Sequence, residues 1–307
     1  MSRRLLIILV LLLLPWFFIG GPDYYASRLF REVWNLGHIV FFALAGYLLL
    51  SLSMGPLRTR VFKGLWLVVV FSLVVGWLIE VAQYGSAREP DSVDVLRDLL
   101  GGLIAYLVFF SSQWQQRLAL FNSLLLIALV AVVLQLTIIG LLAGDELRMQ
   151  RAFPVLADFE TVTELTRWSG DAQFSQSSEY VEHGEYSLKV VVAKQPFSGV
   201  ALRYLESDWR NYQQLLVAVY NPDPEAFPVV LRIDDVAHRQ GEQLFSDRFN
   251  RRFEVLHGWN QWVIALTDIA SAPNTRQLDL ENIGELHFFM VNPEPDKTFY
   301  LDHVRLR

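Results

Sequence analysis

Between Gly76 and Ala105 the sequence reads GWLIEVAQYGSAREPDSVDVLRDLLGGLIA, which sets Glu80, Gln83, Arg88, Asp91, Asp94, Arg97 and Asp98 in an otherwise apolar stretch. These residue types can grip an anion, move a proton or hold a hard cation. Arg88 and Arg97 are suited to a phosphate or carboxylate head group, which a guanidinium binds through two parallel hydrogen bonds. Glu80 or Asp98, once desolvated, would serve as a general base with His38 as its proton partner. Asp94, Asp98 and Glu80 together would suit a divalent cation shared with a phosphate. Two structural readings compete. Asp91 or Ser92, after Pro90, would cap a helix whose dipole Asp94 complements, or the arginines would simply pair with the carboxylates. Capping leaves Asp98, a full turn deeper, and Glu80 and His38 on other helices unexplained. A charge at bilayer depth costs about 2.5 to 3.5 kcal/mol, so it normally faces a partner or a wet cavity.

The elements that must position these residues are apolar runs at approximately 5–19, 34–54, 65–83, 95–110 and 118–142. Each approaches the roughly 20 residues needed to cross a bilayer, and in lipid such segments must be helical. Arg3, Arg4, Arg58, Arg60, Lys63 and Arg117 gather on one side of the five expected spans. The opposite side carries Arg28, Arg31, Arg88 and Arg97 diluted by acidic residues. This bias predicts a cytoplasmic N-terminus and an extracytoplasmic C-terminal half of a multi-pass protein in a bacterial cytoplasmic membrane. The first run also reads as a secretory signal peptide, although PWFFIGG offers no clear cleavage site. In this topology His38, Glu80, Gln83, Asp94 and Asp98 all lie near the outer surface. Glu80 and Gln83 share one helical stripe, Asp91, Asp94 and Asp98 another, and the short intervening loop makes the two helices an antiparallel hairpin.

The mean hydropathy of +0.30 conceals a division, because the long uncharged runs end near residue 143. A polar connector is expected over 144–156, followed by a second domain over 157–307. There YSLKVVVA, GVALRYL, QLLVAVYN, VVLRIDD, RRFEVL, WNQWVIALT, LHFFMV and FYLDHVRL alternate with turns such as HGE and NPDPE. Period-two alternation at that spacing predicts an antiparallel, jelly-roll-like β-sandwich. The expected architecture is therefore multi-domain: a five-span transmembrane bundle over 1–143 and an all-β sandwich. The net charge of -6 without a basic cluster excludes a nucleic-acid partner, and the absence of cysteine excludes disulfides and thiolate chemistry. On the sandwich, Asp235, His238, Arg248, Asn250 and Arg252 fall on neighbouring strands, as a ligand face or as an ordinary solvated face. Trp209, Trp259 and Trp262 would stack on a sugar or fill the core.

The opening DFE, HGEYSLKV, GWNQWVIALTDI and the closing FYLDHVRL resemble the carbohydrate-binding jelly rolls of the galactose-binding-like superfamily over most of 157–307. That resemblance implies an envelope glycan or lipid-linked saccharide as partner. It also implies a structural calcium with Glu160 and Asp302 as side-chain ligands and carbonyls near Gly184. In the first domain His38, E-x-x-Q at Glu80 and Gln83, Arg88, Ser92, Asp94, Asp98, Gly101 and Gly102 resemble the VanZ-like membrane proteins over about 24–112. Asp98 departs from the family's usual Asn. The family is linked by name to glycopeptide-antibiotic resistance, and the resemblance implies a cell-envelope role with membrane lipid, and membrane protein partners, without specifying a reaction.

Overall fold

The computed structural model describes residues 2–19, 21–22, 26–53, 60–83, 93–293 and 297–307. The chain divides into two compact units, Met1–Leu142 and Ala143–Arg307. The first contains α1 (Arg3–Leu13), a 3-10 turn at Leu14–Phe17, α2 (Arg28–Ser53), α3 (Val61–Gln83), α4 (Asp94–Phe109) and the larger part of α5 (Leu118–Ala152). Among the described residues three helices, α2, α3 and α5, are long and apolar enough to cross a membrane, where five spans were expected. The other two runs fail on length. Helix α1 has 11 residues and α4 has 16, which at about 1.5 Å per residue give roughly 16 and 24 Å against a hydrocarbon core of about 30 Å.

Helix α4 packs against both α2 and α3. Small residues permit the approach: a Cβ added to Gly101 would stand 2.6 Å from the Ile39 carbonyl oxygen and 2.8 Å from Phe42 Cβ. Leu50, Val68, Tyr106, Phe110 and Phe121 form one apolar core of this unit, and Phe17, Phe41, Phe42 and Ile79 form another. Helix α5 does not stop at the end of its apolar run. The segment GDELRMQRA, expected as a connector, stays helical to Ala152, because it consists largely of good helix formers and meets no breaker before Pro154.

The second unit is a β-sandwich. Its strands are β1 (Val155–Ala157), β2 (Trp168–Gly170), β3 (Gln173–Ser177), β4 (Ser187–Val191), β5 (Phe197–Leu202), β6 (Gln214–Asn221), β7 (Phe227–Asp235), β8 (Phe249–Val255), β9 (Gly258–Ala265), β10 (Ile283–Val291) and β11 (Thr298–Leu306). Two short helices, α6 (Val236–Gln240) and α7 (Leu266–Ala270), lie between strands. One sheet has the order β3-β4-β11-β6-β9, with β1 pairing β11; the other runs β2-β5-β10-β7-β8. Every pairing is antiparallel. Alternation sets the faces. On β7, Phe227, Val229, Leu231 and Ile233 enter the core, which they share with Val217 of β6, Phe288 of β10 and Leu301 of β11, while Arg232 lies on the opposite face.

Candidate functional site

In the helical unit the charged residues converge around His38 of α2. Its Nδ1 lies 2.8 Å from Asp98 Oδ1 and its Nε2 lies 3.4 Å from Asp94 Oδ2. Arg97 Nη1 donates to Asp94 Oδ1 at 2.5 Å and Nη2 donates to Glu32 Oε2 at 2.5 Å. From α5, Gln135 accepts from Arg97 Nε at 3.3 Å and donates to Glu32 at 3.0 Å. His38, Asp94, Arg97 and Asp98 are all buried. The helix supplies the geometry, since Asp94, Arg97 and Asp98 fall at i, i+3 and i+4 and so share one face. Gly76 of α3 makes room for Asp98, whose carboxylate occupies the space a Cβ there would need. With a carboxylate oxygen at each ring nitrogen, a proton can pass among Asp94, His38 and Asp98.

His38 also lines an apolar pocket of about 260 Å³ with Leu13, Trp16, Phe17, Val33 and Trp34. The Phe17 ring meets the imidazole edge-on at 4.7 Å. Gln83 is drawn to the same region, donating from Nε2 to the Phe17 carbonyl at 2.7 Å. Glu80 is half-buried, one helical turn beyond Gly76 on α3. Arg88, with Asp91 and Ser92, lies outside the described residues. The Asp94, Asp98 and Glu80 cation expected from the sequence does not fit: the first two carboxylates already serve Arg97 and His38, and no metal-binding group of His, Asp and Glu occurs among the described residues. Glu32 and Gln135 were not singled out in the sequence. Gln135 carried a signal, as a polar side chain deep in the α5 apolar run, but nothing linked it to Glu32.

In the sandwich, the outer face of the second sheet carries a continuous polar network. Register aligns Asn250 of β8, Arg232 of β7 and His287 of β10 in one row. Arg232 Nη2 stands 2.8 Å from Asp234, Arg239 pairs with Asp234 and with Glu285, and Arg203 Nε donates to Glu285 at 3.1 Å. Burial alone would raise the Glu285 pKa, but the hydrogen bond from His287 and the charges of Arg239 and His287 outweigh it and hold it at about 2. Arg248 stands apart. Its Nε, like Asn250 Oδ1, is removed from solvent with no hydrogen-bond partner among the described residues. Burial, reinforced by the charge of Arg232, holds the Arg248 pKa below its ordinary value. Exposed Phe245 lies under its guanidinium, and Phe197 and Phe289 pack edge-to-face at the other side of this sheet.

Asp235 and His238, read as ligand-face residues, are built into the fold instead. Asp235 caps α6 by accepting from His238 N at 2.8 Å and also takes Arg276 and the Asp279 N–H. Its burial would raise its pKa, yet these donors bring it below the ordinary value. His238 is fully buried, with Nδ1 3.3 Å from Asp247. The expected calcium ligands do not form a cation site. Asp302 Oδ2 accepts from the N–H groups of Glu182 and His183 at 2.7 and 3.0 Å. Glu160 Oε1 accepts from Glu185 and Tyr186. Both carboxylates bind the β3–β4 turn through positive-ended N–H dipoles, the opposite of a cation-ready oxygen cage. Trp209 and Trp262 are core residues, while Trp259 is half-buried beside Tyr220.

No protein-family model and no curated protein matches this chain. Among solved structures, the β-sandwich resembles carbohydrate-binding modules. One is a family 11 module from Clostridium thermocellum in complex with a β-1,3-1,4-mixed-linked tetrasaccharide, at 16% identity and TM-score 0.38 over 50% of this chain and 93% of that one. The CBM22-1 xylan-binding domain of Paenibacillus barcinonensis Xyn10C is 13% identical, with TM-score 0.34 over 50% and 92%. An exo-β-agarase is 17% identical, with TM-score 0.40 over 50% and 24%.

Proposed function

We propose that the chain is a VanZ-like envelope membrane protein that recognises an envelope glycan or lipid-linked saccharide through the outer face of the sheet β2-β5-β10-β7-β8. The observation that carries this reading is the row of half-exposed polar side chains, Asn250 of β8, Arg232 of β7 and His287 of β10, that strand register sets across this face. Sugar hydroxyls both donate and accept, so they suit such a polar row, and exposed Phe245 and Phe197 offer apolar surface for ring faces. The membrane assignment rests on α5, whose Leu126, Ile127, Leu129, Val133 and Leu134 are exposed, as lipid permits and water does not. The arginine distribution favours a cytoplasmic N-terminus and an extracytoplasmic sandwich.

A second reading is favoured by the His38 pocket: a membrane enzyme in which the His38–Asp98 pair moves a proton on a substrate whose acyl portion occupies the apolar pocket. One experiment addresses both. Intact protein in detergent is screened against neutral and acidic glycans and lipid-linked saccharides, alongside Arg248→Ala/Asn250→Ala and Asp98→Asn. The expected result is saturable glycan binding that the sandwich variant abolishes and Asp98→Asn leaves intact. Binding that survives the sandwich variant refutes the glycan face, and consumption of a lipid-linked substrate that stops in Asp98→Asn establishes the enzymatic reading.

A further inference from the structure

Strand register divides the outer face of the sheet β2-β5-β10-β7-β8 into rows of different chemistry. Phe289 of β10 and Val230 of β7 stand opposite one another, half-buried, as an apolar row. Two residues along each strand, His287 and Arg232 continue with Asn250 as a polar row. Two residues further, Glu285 and Asp234 are opposite one another, with Arg203 just past the end of β5 and Arg248 just before the start of β8. Successive rows of this kind are about 7 Å apart.

The two carboxylates at this end are buried and already shared. Asp234 accepts from Arg232 Nε at 2.9 Å and from Arg239 Nε at 2.8 Å. Glu285 accepts from Arg203 Nε at 3.1 Å, pairs with Arg239 and lies 2.9 Å from His287 Nε2. Asp247, the chain neighbour of Arg248, is committed to Arg276 and His238. Arg248 is in none of these pairs, so four arginines meet two carboxylates. Burial first, and then the charge of Arg232, hold the Arg248 pKa below its ordinary value, with Asp234 pulling the other way. Like charges on a half-buried surface carry a cost that an anion beside them relieves.

The Arg248 guanidinium carbon stands 5.5 Å from the centroid of the exposed Phe245 ring, a contact that uses a face of the group rather than its hydrogen-bonding edge. Its Nε is removed from solvent, so a ligand would meet the two terminal nitrogens. We infer, resting on the glycan reading above, that this face selects an acidic saccharide, with a uronic acid ring lying on Phe289 and Val230 and its carboxylate held by Arg232 and Arg248. A uronate carries its carboxylate directly on the pyranose ring, so a ring resting on the apolar row presents the anion to the polar row beside it. A guanidinium grips such a planar carboxylate through two parallel hydrogen bonds.

Full-length protein in non-ionic detergent is titrated calorimetrically with tetrasaccharides of galacturonate, of mannuronate and of alternating glucuronate and N-acetylglucosamine. Each is run beside its carboxyl-reduced, neutral counterpart. At least one uronate is expected to bind about tenfold more tightly than its counterpart, through charge-assisted hydrogen bonds to the carboxylate, and added salt should shrink that preference. Arg248→Gln should remove the preference without unpairing either carboxylate, and circular dichroism confirms that it is folded. The matched sugars test the charge on the wild type whatever the variant does. A preference kept in full by folded Arg248→Gln overturns the inference, and so does a sulfated galactan tetrasaccharide that binds more tightly than every uronate. Neutral counterparts that bind as tightly as the acids overturn it too, while leaving the glycan face standing. Absence of binding by acidic and neutral sugars alike overturns the glycan reading and the inference with it.

Discussion

Glu164→Gln isolates the cost of ionising a buried carboxyl. Its pKa stands at about 8 in the folded chain against an ordinary value of 4.5, so the folded state holds the proton more tightly than the unfolded state. The stability this confers is complete below pH about 4.5 and is lost as pH rises through about 8. At roughly 1.4 kcal/mol per pH unit the whole interval is worth about 5 kcal/mol, of which about 3 kcal/mol falls between pH 5.5 and pH 9. Solvent relaxation around the carboxylate makes these upper values. Glutamine keeps the shape and an acceptor oxygen for the Asp158 N–H but cannot ionise. Urea unfolding of the sandwich, followed by tryptophan fluorescence in intact detergent-solubilised protein, gives the readout. With an m-value of about 2 kcal/mol/M, the wild-type midpoint should fall by up to about 1.5 M over that range through this residue alone. Other titrating groups contribute equally to both proteins, so the informative quantity is the difference between the two curves. The variant should be the more stable at pH 9 and lose that advantage toward pH 5.5. Parallel curves would refute the assignment of a neutral, buried Glu164.

Gly101→Ala is expected to separate α2 from α4, because its Cβ would meet the Ile39 backbone oxygen at 2.6 Å, whereas Gly37→Ala meets nothing within 4 Å. Thermal aggregation of the two variants in detergent should show a loss of several degrees for the first and none for the second. Asp145→Ala removes the bidentate partner of buried Arg167 and should cost up to about 3 to 5 kcal/mol, read as a lower urea midpoint of the sandwich and faster proteolysis around residues 143–158.

The strands were legible because a half-buried strand imposes period two on its sequence, as most of β7 and β10 show, while β6 is buried along most of its length and reads as a short continuous apolar run. The helices were legible as apolar runs, but their ends were not. Helix α5 continues through a charged segment and α4 is too short to span, since hydropathy records solvent preference and not where backbone hydrogen bonding stops.

For the sites, the sequence by itself determined which residue types had to be accounted for: His38, Asp94, Arg97 and Asp98 in an apolar region, and the helical spacing that aligns three of them. Tertiary structure decided their partners. Glu32 and Gln135 join Arg97 from 65 and 38 residues away, a proximity that depends on helix packing at Gly76 and Gly101 and leaves no local pattern. It likewise decided that Asp235 and Asp302 hold the fold while Arg248 and Asn250 retain unmet polar atoms. Chemical type is local to a residue. Whether its hydrogen bonds are already satisfied depends on groups that only folding brings within about 3 Å.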